Sequence, residues 1–178
     1  MAESEPAEPG RPLSERVVLA LGSNLGDRLG FLQTALQALT GFVQIAAVSS
    51  VYETDPVGGP TGQDPYLNAV AVGTTTLSPE ALLRRCHEVE AAARRTRLER
   101  WGPRTLDVDV IAFGSIQRPG PDPVLPHPRA HERAFVLLPW VEADPDAVLP
   151  GVGPVIELIQ GVDTSGARKR PDLRLVGP

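Results

Sequence analysis

A single cysteine, Cys86, in 178 residues leaves no intrachain disulfide to form, so a reducing cytoplasmic home is expected. Aromatic residues make up only 4% of the chain, so few are spare for packing and each is worth locating. Positive charge is not in excess: 17 Lys and Arg stand against 22 Asp and Glu, for a net charge of −5. That balance argues against a general nucleic-acid binder, which carries a basic field. No run is apolar and long enough to cross a bilayer. The opening MAESEPAEPGRPLSER holds no apolar signal core. It is acidic and Pro-rich, and residues 1–15 are expected to be a disordered tail ahead of a single domain over 16–178. The chain also lacks a Gly-Lys-Ser/Thr phosphate loop. GSNLGDR, residues 22–28, has the glycines without that ending and reads as a strand–helix turn.

What is present alternates in a simple order. VVLAL, residues 17–21, is a short apolar strand ended by Gly22. Ser23 or Asn24 can cap the helix that follows, in which Leu29, Leu32, Leu36 and Leu39 recur at helical spacing until Gly41. Residues 42–53 read as a second strand and residues 66–76 as a third. Between them, TDPVGGPTGQDP carries three Gly and three Pro, which no regular element tolerates. Ser78-Pro79-Glu80 starts a second helix, with Ser as cap and Pro at the first helical position. Residues 105–113 are a fourth strand. Short helices are expected near 131–140 and 155–159, and a last strand at 173–176. The order β-α-β-β-α-β predicts a ferredoxin-like α+β sandwich: an antiparallel sheet, helices packed on one face, and a loop-rich C-terminal extension.

The chemistry concentrates in RWGPRTLDVD, residues 100–109. Strand alternation puts Asp107 and Asp109 on one face, with Cα atoms about 6–7 Å apart. Two carboxylates at that separation repel unless a cation lies between them, and Mg²⁺ prefers oxygen ligands and phosphate company. Leu106, Val108, Val110 and Ala112 form the apolar opposite face. Alone, Asp-x-Asp is equally a pair of solvated acids on an exposed strand. The neighbouring Arg104, able to grip a phosphate bidentately, tips the balance towards phosphoryl transfer. On the third strand, Tyr66 and Asn68 share a face, and a ring beside a carboxamide suits a flat heterocycle. By themselves they are better explained as a core Tyr beside an edge Asn. LPHPRAHERAF, residues 125–135, adds His127, Arg133 and Phe135. Its His127-x₃-His131 spacing hints at a metal, but Pro128 disfavours the regular helix that such a pair needs.

LGSNLGDR, SSVYETDP, YLNAV, RWGPRTLDVDV and LPHPRAHERAF, in that order over residues 17–140, resemble the 6-hydroxymethyl-7,8-dihydropterin pyrophosphokinase family of folate biosynthesis. The resemblance implies a ferredoxin-like fold and two Mg²⁺ ions held between Asp107, Asp109 and the ATP phosphates. It implies a pterin stacked between Tyr66 and Phe135, bonded by Asn68 and lined by Thr54. It implies ATP contacts from Glu90, Arg95, Arg97, Trp101, Arg104, His127 and Arg133, with Arg95 and Arg104 also stabilising the reaction. His87 stands where a polar nucleotide contact is often found. The implied reaction is attack of the pterin hydroxymethyl oxygen on the β-phosphorus of ATP, with AMP leaving and the loops at 54–65 and 94–103 closing over both substrates. The implied partners are those two small molecules, with no nucleic acid and no membrane. Arg94 departs from the family's glycine, and Asp55 stands where proline is frequent. Three other classes stay open on the residues alone: another two-metal nucleotidyl or phosphoryl transferase, an RNA-binding domain of this topology, and a regulatory, non-catalytic nucleotide binder.

Overall fold

The computed structural model describes residues 13–56, 62–95 and 106–178. The expected tail lies outside them except at its end, where Glu15 already opens a strand. The elements are β1 (Glu15–Ser23), α1 (Arg28–Leu39), β2 (Gln44–Val48), β3 (Tyr52–Thr54), β4 (Tyr66–Thr75), α2 (Pro79–Arg95) and β5 (Asp107–Phe113). After them come α3 (Ala134–Ala143), the two-residue strands β6 (Val148–Leu149) and β7 (Gly153–Pro154), α4 (Val155–Leu158) and β8 (Ala167–Lys169). The main sheet is antiparallel throughout, in the order β5-β1-β4-β3-β8, with β2 also on β4. The expected βαββαβ order is present.

Several expectations change in detail. Gly22 does not end the first strand, which pairs on to Ser23 opposite Leu67. The cap of α1 is neither Ser23 nor Asn24 but Asp27, whose Oδ1 accepts the Gly30 N–H at 3.0 Å. A Cβ on Gly30 would lie 2.2 Å from the Asp27 carboxylate, so this cap needs a glycine there. The single strand expected over 42–53 is two, β2 and β3, both on the same edge of β4. At the break, Ser49 replaces the regular ladder: its N–H donates to Val70 O, and its Oγ accepts the Val70 N–H, each at 2.9 Å. Ser78 does cap α2, with its Oγ accepting from Ala81 N at 3.2 Å.

The sheet has two buried faces. On one, α1 and α2 cover Leu19, Leu21, Leu67, Val108 and Val110 with Leu32, Leu36, Leu82 and Cys86. Burial chiefly, with Glu90 and Asp109 adding to it, pushes the Cys86 thiol up to about 12, so it stays a protonated packing group. On the other face, α3 sets Val136, Leu137 and Trp140 against Val18, Ala20, Val70, Val72 and Ile111. The C-terminal extension therefore supplies a third layer as well as loops. A bulge between Val18 and Leu19 makes Ile111 an extra residue, so Ala112 turns to the α3 face instead of joining Val108 and Val110. The strand expected at 173–176 is absent. Leu173 and Leu175 pack on the first core as irregular chain, and Gln33 exchanges two hydrogen bonds with the Val176 backbone.

Candidate active site

The α3 layer covers only part of its face of the sheet. At the uncovered end, register alone gathers the polar residues. Asp107 on β5, Gly22 on β1, Asn68 on β4, Tyr52 on β3 and Lys169 on β8 lie opposite one another in a single row. Directly opposite residues share a face. Asp109, two residues along β5, shares it too, as does Tyr66, two residues from Asn68 and opposite Thr54. Asn68, Tyr66, Asp107 and Asp109, with the Gly22 backbone between them, open into a cavity of about 390 Å³, while Tyr52 and Lys169 reach Glu142 of α3. Tyr66, Asn68, Thr54, Asp107, Asp109, Arg133 and Phe135 all line it, so seven residues singled out from sequence meet at one place.

Gly22 is the floor between the two groups. A Cβ there would lie 3.1 Å from Asn68 Oδ1 and 3.9 Å from the Tyr66 ring. Asn68 is 4% exposed, and its Nδ2 donates to Thr54 Oγ1 at 2.7 Å. The carboxamide is thus held in one orientation, with its oxygen over Gly22. Phe135, at the start of α3, looks back over this end, and the Arg133 guanidinium lies 5.4 Å from its ring centre.

At the acidic end, Arg133 Nη1 stands 4.0 Å from Asp109 Oδ2. Arg133 precedes α3 with extended backbone, which lets its side chain turn into the cavity. His127 is fixed by its own N–H, which donates to Ile111 O at 2.8 Å, and by Nδ1, which accepts from Arg129 N at 3.2 Å. Burial chiefly lowers the His127 pKa, Asp109 opposes that, and Arg133 and Arg129 lower it further, so the ring is neutral at neutral pH. His127 and His131 do not combine into a metal site: among the described residues no three His, Cys, Asp or Glu gather for one. Two carboxylates facing a cavity leave most ligand positions to water and phosphate oxygens, which is how Mg²⁺ is usually held. The donor set fits that ion and would not close a structural zinc site.

Glu90, His87 and His127 do not line the cavity, though His127 lies near enough to Asp109 and Arg133 to feel their charge. Glu90 Oε1 accepts the Val108 N–H at 2.8 Å, on the open edge of β5 between the two aspartates. Burial chiefly raises its pKa, as do Asp107 and Asp109, against the Val108 hydrogen bond and His87. His87 is exposed on α2. Arg95 closes α2, but its side chain, and all of Arg97, Trp101 and Arg104, lie outside the described residues. Sequence reasoning missed Gly22, Asp55, Arg129, Glu132, Asp163, Gly166 and Ala167, all of which line the cavity. Arg129 and Glu132 sat inside a stretch already singled out, and their charge was the available signal. Asp163, Gly166 and Ala167 had none, because the strand that brings them in was not foreseen.

Residues 18–145 match the model of the 7,8-dihydro-6-hydroxymethylpterin-pyrophosphokinase family. The chain belongs to this family. A relative in Mycobacterium tuberculosis, a 2-amino-4-hydroxy-6-hydroxymethyldihydropteridine pyrophosphokinase, is 44% identical over 176 residues, covering 92% of this chain and 90% of the relative. Proteins of the same name are 42% identical in Methylorubrum extorquens, over 86% of this chain and 98% of the relative, and 43% identical in Bacillus subtilis, over 70% and 75%. Among solved structures, wild-type HPPK-DHPS of Plasmodium falciparum with SDX-DHP superposes with a TM-score of 0.66 at 14% identity, over 85% of this chain. The chain spans 45% of that longer protein, and at this identity the likeness shows the fold alone. Membership makes this pyrophosphokinase an enzyme of folate biosynthesis. No described helix is long and apolar enough to cross a membrane.

Proposed function

We propose that the chain transfers the pyrophosphoryl group of ATP to the hydroxymethyl group of 6-hydroxymethyl-7,8-dihydropterin, with AMP as the leaving product. The observation that carries this reading is the division of one cavity: a ring-and-amide end formed by Tyr66, Phe135, Thr54 and Asn68 adjoins a carboxylate end formed by Asp107 and Asp109. A flat heterocycle at the first end would bring its substituent towards phosphates at the second, and holding two reactants in register removes much of the entropic barrier.

Asp107 and Asp109 would hold Mg²⁺, two ions with ATP bound; Mg²⁺ supplies charge neutralisation on the phosphates and alignment for in-line displacement. Arg133, 4.0 Å from Asp109, would receive phosphate oxygen on the same wall, with the neutral His127 as a hydrogen-bonding neighbour. Arg95, Arg97, Arg104 and Trp101 would complete the ATP side, with Arg95 and Arg104 stabilising charge that develops during transfer. Asn68, with its Nδ2 committed to Thr54, would present its oxygen to a ring N–H or amino group. The single cysteine suits a reducing cytoplasm.

The test is product analysis with ATP, Mg²⁺ and the pterin. AMP should appear in step with pyrophosphorylated pterin, and neither should form without the pterin or after chelation of the metal. Stoichiometric ADP, or AMP release indifferent to pterin, would overturn the proposal.

A further inference from the structure

The family-matched stretch ends at residue 145, yet part of the cavity wall comes from beyond it. β8 adds to the free edge of β3 in the register Thr54–Ala167, Glu53–Arg168, Tyr52–Lys169. Ala167 therefore shares a face with Thr54, and both line the cavity. On that face Thr54 Oγ1 holds the Asn68 amide. Gly166 continues the wall, and its carbonyl accepts the Asp55 N–H at 3.1 Å, at the point where the Gly/Pro-rich segment leaves β3.

The strand has no hydrophobic pattern to hold it in place, so its side chains do so by charge. Arg168 reaches Asp55 Oδ1 at 3.3 Å and Glu53 Oε1 at 3.4 Å. Arg170 reaches Glu53 Oε2 at 2.8 Å, and its N–H donates to Val51 O at 2.8 Å. Arg28 lies 3.5 Å from the same Glu53 oxygen, and the Glu53 side chain is 15% exposed. Three arginines thus converge on one largely buried carboxylate of β3, and two of them come from the C-terminal segment.

We propose that β8 forms the outer wall of the pterin end of the cavity, that Ala167 sets the width available to the heterocycle, and that Arg168 is a positioning residue acting through Asp55 and Thr54. This rests on the pterin reading above. A small residue at 167 leaves room beside Thr54, and a branched side chain there would occupy the space of the ring. Arg168 touches no reacting group; it fixes the strand ends from which Thr54 and Asp55 project.

The experiment uses the full chain and measures pterin and non-hydrolysable ATP analogue binding separately by calorimetry. Ala167→Leu should weaken pterin binding by about 10- to 100-fold, the range for a misfitted apolar group in a pocket, with analogue binding changed less than about twofold. Arg168→Ala should weaken pterin binding by roughly threefold, as expected for an exposed ion pair, with Arg168→Lys restoring part of it. Pterin affinity unchanged in Ala167→Leu, or equal losses of both ligands in the two variants, would overturn the proposal. If Ala167→Leu does not fold, the exposed Arg168 pair of variants decides alone. Failure of the unaltered chain to bind the pterin at all would overturn the functional reading and this inference together. Binding by the unaltered chain with indifference in the variants overturns this inference only.

Discussion

Asp107 and Asp109 are placed by the simplest rule a strand obeys, and their roles can be separated from the fold by substitution. Both carboxylates face the cavity and neither belongs to the packed core, so removing either leaves the fold in place. Asp107→Ala and Asp109→Ala should each melt within a few degrees of the unaltered chain. Each should still lose more than about 100-fold in Mg²⁺-dependent turnover, since even lost outer partners of metal sites cost 10- to 100-fold. Steady-state AMP release beside a thermal melt checks both halves, and near-normal turnover in both variants would refute the assignment. Gly22 makes a sharper case. It was legible only as punctuation at the end of a strand, yet it sits between Asp107 and Asn68 in the ladder. A methyl there must push on Asn68 Oδ1 at 3.1 Å, and Asn68 cannot give freely because Thr54 holds it. Gly22→Ala should therefore cost about tenfold in pterin affinity and much less in nucleotide affinity. Calorimetry with each ligand distinguishes this from a general loss, and unchanged pterin binding would contradict it.

At the scale of elements, what the sequence made legible was what periodicity encodes. The apolar spacing of α1 and α2, the alternation in β5 and the long apolar run of β4 all announced themselves. Tyr66, Asn68, Asp107 and Asp109 were found because a two-residue spacing on a strand is itself a statement about direction. Three other features carried no such mark, or a misleading one. Ser49 and Ser50 sit within a β-branched run that reads as continuous, so the division into β2 and β3 was hidden. The sequence ARK carries no pattern at all; β8 is held by partners more than a hundred residues away in Glu53 and Asp55. LRLV at 173–176 alternates like a strand, but there the alternation records packing of Leu173 and Leu175 on the core without a ladder. The Ser49 break is testable. Its hydroxyl accepts the Val70 N–H and donates to Ser50 O at 2.8 Å, and the residue is 6% exposed. Ser49→Ala leaves a buried backbone donor without its side-chain partner and should cost about 1–3 kcal/mol of stability. Urea unfolding should show a lower midpoint at constant slope, with substrate affinities near normal because the Thr54–Asn68 bond lies further along the strands. A midpoint unchanged would mean that water replaces the hydroxyl.

Across the whole molecule, one carboxylate joins segments that are far apart in sequence. Glu142, near the end of α3, accepts the Ser50 N–H at 2.8 Å and the Tyr52 hydroxyl, and it meets Lys169 of β8 at 3.3 Å. It therefore ties the second-face helix both to the strand carrying Thr54 and to the C-terminal strand beside it. Burial alone would raise its pKa, but the hydrogen bonds from Ser50, Tyr52 and Lys169 together outweigh burial and hold it down at about 2, against an ordinary 4.5. Burial first, and then Glu142, raise the Tyr52 hydroxyl, so it remains a donor over the working range. A carboxyl depressed in the folded state contributes stability that is complete above its unfolded pKa and disappears as pH falls through its folded one. The contribution of Glu142 should thus be present at neutral pH and be lost between about 4.5 and about 2. Glu90, whose pKa is raised, works in the opposite sense: its penalty on the fold sets in as pH rises past its unfolded value and is complete above its folded one. Glu142→Gln should lower stability at pH 7 and flatten the acid limb, and its stability should converge with that of the unaltered chain near pH 2. Urea midpoints across pH 2–7 for the two proteins check this. The difference between the curves removes Glu90 and every other group common to both, so a difference that stayed constant with pH would show that Glu142 acts through shape alone and not through its charge.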